Sequence, residues 1–149
     1  PRIVCANGAG TVFVCNLEGG VFNMQVGKSG AAQAHLAFSP LGGDARYEYA
    51  VLKDKNLSAN GYEGAALKTL FQTQWPVSQD TVFTVSQNRL GTLSRAKRQI
   101  FMLNGRGEVH PDFPLAGTTP FVVSDLFRKG GGQVLVVGDG SSVYAYKIR

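Results

Sequence analysis

The chain has 149 residues, 44% of them hydrophobic, and 15 Lys and Arg against 10 Asp and Glu give a net charge of +5. A chain of this size can enclose one real core, and so modest a charge excess is explained as readily by a solvated surface as by an anionic partner. Two cysteines exclude a disulfide scaffold, and no apolar run is long enough to span a bilayer as a helix.

In chain order, residues 1–16 read as a hairpin. Ile3-Val4-Cys5-Ala6 and Val12-Phe13-Val14-Cys15 are apolar runs flanking Asn7-Gly8-Ala9-Gly10-Thr11, the composition of two antiparallel strands and a turn. A turn centred near Gly8 or Ala9 sets Cys5 opposite Val12 or Phe13 rather than Cys15, which predicts two buried free thiols and no bridge. Val21 to Val26 forms the next strand, Lys28 to Ala34 a small-residue connection, His35 to Phe38 another strand and Ser39 to Asp44 a turn. Tyr47 to Leu52 then pairs across Lys53 to Asn56 with Leu57-Ser58-Ala59, a middle copy of the first hairpin.

Glu63 to Gln72 comes nearest to helical spacing and reads as a short helical turn or a strand entry. Trp75-Pro76 stops a strand, as Phe113-Pro114 does later, because proline cannot donate to a ladder. Thr81 to Ser86 is a strand. Gln87 to Arg98 reads as a long loop or distorted hairpin. The final hairpin is VLVVGDGSSVYAY, with Gly138 to Ser142 as its turn, and its halves match those of the first.

These segments repeat. The pattern apolar-Phe-apolar-apolar-Asn-x-x-Gly-x-Val occurs at Val12 to Val21 and at Ile100 to Val109, and Asn16, Asn60 and Asn104 stand 44 residues apart at each step. Phe38, Phe83 and Phe121 each open a strand-like run. A period of roughly 40 to 50 residues holding about four short strands is that of a β-propeller blade. Period-two alternation and 19 glycines argue against a solenoid of helix pairs of the same period. The fold expected is therefore all-β: four-stranded antiparallel blades, about 3 to 3.5 of them, in an incomplete propeller. Its frames are 1–16 (the end of a blade), 17–60, 61–104 and 105–149. Propellers close with roughly four to eight blades, and the chain opens on Pro1, so the sequence reads as a piece of a longer protein. The remaining blades of that parent, or a second copy, are the expected partners.

VYAY or IFML, followed by N-G-x-G, D-F-P-L, F-x-x-x-D-L and VLVVGDGSSVYAY, resembles the FG-GAP, VCBS and quinoprotein-like propeller repeats. The resemblance is clear in the first and last copies, and it implies a binding or interaction module of an extracytoplasmic or envelope protein, with a protein or glycan ligand. The alternative it allows is part of a polysaccharide hydrolase or lyase whose catalytic residues lie in other blades. Where those families carry an Asp-x-Asp-x-Asp-Gly loop, this chain has Asp125-Leu126-Phe127-Arg128-Lys129-Gly130-Gly131-Gly132, one carboxylate beside two cations. A hard divalent ion wants several oxygen ligands, so no calcium is expected there, nor in Ser39 to Asp44 or Ser86 to Gly91.

No catalytic, metal or cofactor constellation stands out. His35 and His110 are far apart, and His110-Pro111-Asp112 reads as backbone capping before acid-base chemistry. The glycines at 8, 10, 138 and 140 join strand to strand, so they read as positive-φ turn residues and offer no helix N-terminus to a phosphate. Arg89, Arg95, Lys97 and Arg98 form the candidate anion-binding cluster, for a glycan or a lipid headgroup. Nucleic acid is disfavoured because the interleaved aromatics of single-strand binders are missing.

Overall fold

A computed structural model describes residues 2–25, 33–43, 46–64, 66–125 and 132–149. Among them all regular structure is β-strand, fourteen strands in four antiparallel sheets that follow one another along the chain. Sheet A joins β1 (Ile3–Ala6), β2 (Val12–Cys15) and β3 (Val21–Gln25). Sheet B joins β4 (Ala34–Ser39), β5 (Glu48–Lys53), β6 (Asn56–Glu63) and β7 (Ala66–Gln74). Sheet C joins β8 (Thr81–Ser86), β9 (Arg89–Ser94), β10 (Gln99–Asn104) and β11 (Leu115–Ala116). Sheet D joins β12 (Val122–Ser124), β13 (Gln133–Asp139) and β14 (Ser142–Ile148).

Each sheet is a meander of sequence neighbours, so every repeat frame takes the last strand of one sheet with the first three of the next. Equivalent strands follow directly: β2, β6, β10 and β14 are the third strands, and β1, β5, β9 and β13 the second.

Alternation of side chains across each strand gives the inner sheets two apolar faces, and consecutive sheets bury them against each other. On β5, Tyr49 and Val51 join Val12 and Val14 of sheet A, while Ala50 and Leu52 turn to Leu90, Phe101 and Leu103 of sheet C. On β10, Phe101 and Leu103 face back to sheet B, while Ile100 and Met102 face forward to Leu135 and Val137 of sheet D. Each sheet thus has a rear face toward its predecessor and a forward face toward its successor. Three cores lie between four sheets, and a fully buried Leu or Ile in them contributes about 2 kcal/mol.

One loop recurs at three hairpins. Asn7, Asn16 and Asn104 each end a strand and accept, at Oδ1, the backbone N–H groups two and four residues on, at 2.7 to 3.1 Å. The glycine three residues on donates its N–H to the asparagine carbonyl in all three loops. It stands at φ 75, 85 and 80 for Gly10, Gly19 and Gly107, a conformation that costs an L side chain strain. The Asn-x-x-Gly spacing is the chemical signature of this turn, an Asx-type loop closed by a left-handed glycine.

Several expectations are corrected. Of the two readings of Glu63 to Gln72, the strand holds and the helical turn does not: among the described residues β7 runs over most of it, paired along β6. Gln87 to Arg98 is the hairpin alternative and not the long loop: strand β9 pairs with β8, with a register shift, and with β10, between two turns, the first with Asn88 at φ 61, the second with Arg98 at φ 53. The last turn is shorter than the first. Gly138 and Asp139 belong to β13 and Ser142 to β14, and Asp139 pairs with Ser142 across two residues. Of the four glycines read as left-handed, Gly10 and Gly140 are so. Asn60, 44 residues from Asn16 and Asn104, does not share their turn. It lies buried within β6 at a bulge, its Oδ1 accepting from Thr69 Oγ1 at 3.1 Å, and the chain runs on as strand to Glu63 because no glycine follows three residues later. The cysteines are free as expected, and Cys5 pairs with Phe13, but Cys5 is exposed and Cys15 half-buried. Both sit on the rear face of sheet A, which no described residue covers with another sheet.

Candidate functional surfaces

The four cationic side chains of the candidate anion site do not converge. Arg89 opens β9 and Arg95, Lys97 and Arg98 follow its far end, so the six-residue strand separates them by about 20 Å. Arg89 donates to Gln133 Oε1 at 2.6 Å, which ties sheet C to sheet D. It also lines a cleft of about 170 Å3 with Asn104, Glu108 and His110. At the other end, Asp80 accepts the Arg95 backbone N–H at 2.6 Å and lies 3.9 Å from its guanidinium. Arg98 reaches Asp139 Oδ2 at 2.6 Å, a charge-assisted bond between the two sheets. That hydrogen bond holds the buried Asp139 carboxyl below the usual carboxylate range and pushes the Arg98 guanidinium up. Lys97 stands exposed in the turn between them.

His110 and Asp112 act on backbone. His110 Nε2 lies 3.0 Å from the Arg149 carbonyl oxygen, Asp112 Oδ2 accepts the Arg149 N–H at 2.9 Å, and the imidazole meets the Phe113 ring edge-on. Together they fasten the end of sheet D to the connection before β11, the capping role expected for them. His35 lies on β4 of sheet B, opposite Leu52.

A concavity of about 320 Å3 opens between sheets A and B, with Phe38, Tyr47 and Tyr49 among its walls. Tyr47 is exposed, the Arg2 guanidinium lies 3.9 Å over the Tyr62 ring, and Tyr49 is buried. Burial first, and then neighbouring Tyr62, push the Tyr49 hydroxyl up to about 12, so it stays protonated at any ordinary pH. Beside it, Glu48 is buried and its Oε2 accepts the N–H groups of Leu41 and Gly42 at 2.6 and 3.2 Å. That carboxylate caps the β4–β5 turn.

The two end faces of the stack are apolar and open in part: Ile3, Val122 and Val143 are exposed, whereas Phe13 and Val136 are half-buried and Val134, on the same face as Val136, is 4% exposed. On the rear of sheet A stand Ile3, Cys5, Phe13 and Cys15; on the front of sheet D stand Val122, Val136, Val143 and Ala145. Their exposure is set against equivalent positions in the cores. Val12 and Ile100 occupy one forward-facing slot of the third strand and are 1% and 0% exposed, whereas Val143 in that slot is 74% exposed. Val122 is 63% and Ile3 47% exposed. No single-residue motif marks these positions. Their sequence signal is apolar residues on both sides of a short strand, at the first and last hairpins.

Most of the Asp125 to Gly132 loop, where calcium was not expected, lies outside the described residues. Among the described residues no three His, Cys, Asp or Glu side chains are grouped to hold a metal ion, and no helix is long and apolar enough to cross a membrane. No protein-family model matches the chain, and no curated protein matches it.

Proposed function

We propose that this chain is a run of β-propeller blades that works as a non-catalytic interaction module, docking through its end faces against further sheets of the same kind. The observation that carries this reading is the equivalence of slots: Val143 and Phe13 repeat the positions of Ile100 and Phe101, which are buried between sheets. Apolar area of this kind on a surface marks an interaction site. The side chains considered for chemistry, His110, Asp112, Arg95 and Arg98, are engaged in holding strands and sheets together.

The test is binding of an environment-sensitive apolar dye to the dilute chain. The wild type is expected to bind it, and Val122→Lys with Val143→Lys to bind much less while keeping the same circular dichroism. A wild type that binds no dye at any dilution would refute the docking role.

A further inference from the structure

Asn7, Asn60 and Asn104 are each followed by glycine, whereas Asn16, which makes the same loop as Asn7 and Asn104, is followed by Leu17. The amide carbon of an asparagine and the backbone nitrogen of the next residue need only one new bond to close a five-membered ring. A following glycine leaves the approach uncrowded and the backbone free to turn into it. In a folded chain the surroundings of each pair then decide whether the ring forms, and here they differ from site to site.

Asn7 and Gly8 are both exposed, and a Cβ on Gly8 would meet no atom within 4 Å. Asn7 Oδ1 accepts the N–H groups of Ala9 and Thr11 at 3.1 and 3.0 Å. Two donors therefore already point at the oxygen that takes the charge when the amide carbon is attacked, as in an oxyanion hole. Asn104 has the same two donors, but Gly105 is buried against the Asn88 side chain and the Leu41 carbonyl oxygen. Its Nδ2, the group that has to leave, is also held by Glu108 Oε2 at 2.7 Å. Asn60 is 1% exposed and lies with Gly61 in the ladder between β6 and β7.

We propose that Asn7-Gly8 is a self-modifying site, at which the folded chain converts Asn7 to a mixture of aspartate and isoaspartate. Water takes the Gly8 amide proton, the Gly8 nitrogen bonds to Asn7 Cγ, and the bond from Cγ to Nδ2 breaks. The nitrogen leaves with a proton as ammonia, and the ring is a succinimide. Water then adds at either ring carbonyl and reopens it, with no oxidation or reduction at any step. Isoaspartate routes the main chain through Cγ and so takes away the side-chain oxygen that held the Ala9 and Thr11 N–H groups in the turn between β1 and β2.

Peptide mapping by mass spectrometry, after incubation in mildly alkaline buffer, reads the reaction at all four asparagines in the folded chain and in denaturant, each site compared with itself. Folding is expected to leave Asn7 within about threefold of its rate in denaturant and to slow Asn60 and Asn104 at least tenfold. Gly8→Ala, which places its methyl group in open space, is expected to keep the circular dichroism and slow Asn7 at least tenfold, with Asn60 and Asn104 unchanged. An Asn7 that folding slows as much as Asn104 would overturn the proposal, as would one that reacts as fast in Gly8→Ala. Aspartate formed at position 7 without isoaspartate would mean direct hydrolysis and overturn the route through Gly8.

Discussion

Replacing Asn104 by alanine isolates the energy of the recurrent turn. In the native loop Asn104 Oδ1 accepts from the N–H groups of Arg106 and Glu108 at 2.9 and 3.1 Å, and Asn104 Nδ2 donates to Glu108 Oε2 at 2.7 Å. The loop is solvated, so water replaces part of what is lost and each backbone bond contributes toward the lower end of the usual 0.5 to 1.5 kcal/mol. The alanine variant is therefore expected to lose about 1 to 2 kcal/mol. For a chain of this size that lowers the melting temperature by roughly 2 to 8 °C, measured by circular dichroism. Asn104→Asp keeps a side-chain oxygen to accept from both backbone N–H groups but loses the Nδ2 donor and sets a second carboxylate beside Glu108, so it is expected to melt between the wild type and the alanine variant. An alanine variant that melts with the wild type, or an aspartate variant no better than alanine, would refute the idea that the side-chain oxygen holds this turn.

Further expectations concern the links between sheets. Because Arg98 holds the Asp139 carboxyl below its ordinary value, the pair stabilises the fold above about pH 4, the unfolded aspartate's pKa, and that contribution disappears as the pH falls below it. The stability difference between wild type and Arg98→Ala should thus shrink on acidification; a difference independent of pH would contradict the pairing. Tyr49 has the opposite sign. Its pKa is raised to about 12, so its contribution is complete below the ordinary tyrosine value of about 10 and is lost as the pH climbs from there toward 12. Alkaline unfolding followed by tyrosinate absorbance should be shallower in Tyr49→Phe, and an unchanged profile would speak against burial of that hydroxyl. A Cβ at Gly105 would meet the Asn88 side chain and the Leu41 carbonyl oxygen at the joint between sheets B and C, whereas one at Gly8 meets open space. Gly105→Ala is expected to cost about 1 to 3 kcal/mol and Gly8→Ala to stay within about 0.5 kcal/mol in denaturant titration; equal effects would remove the steric argument.

The parts of the fold legible in the sequence are those whose causes are local. Val12-Phe13-Val14-Cys15 and Ile100 to Leu103 are recognisable as equivalent strands because alternation and the Asn-x-x-Gly turn lie within ten residues of each other. The pairing of Tyr47 to Leu52 with Leu57 was readable for the same reason: Lys53 and Asn56 face each other across a two-residue turn. Where the cause was distant, reading failed. Glu63 to Gln72 reads as a helical turn or a strand entry because its alanines and leucines have good helix propensity; pairing along β6 decides for the strand, since a ladder overrides propensity. The basic residues at 89, 95, 97 and 98 looked like one patch by spacing. Strand β9, the hairpin alternative to a loop, sends the first to one end of the sheet and the other three to the opposite end.

The end faces reveal why function was harder to read than fold. Phe13 and Phe101 are the same residue in the same slot of the same strand, and nothing within either repeat distinguishes the one that meets a neighbour from the one that does not. Coverage belongs to the arrangement of sheets and not to the repeat, so an isolated repeat reads as core throughout. Where the stack ends, that core chemistry becomes surface chemistry with no change in the residues. Under the docking role proposed above, the surface that meets such a face is the complementary face of the same contact, since that is what these side chains already fit three times over.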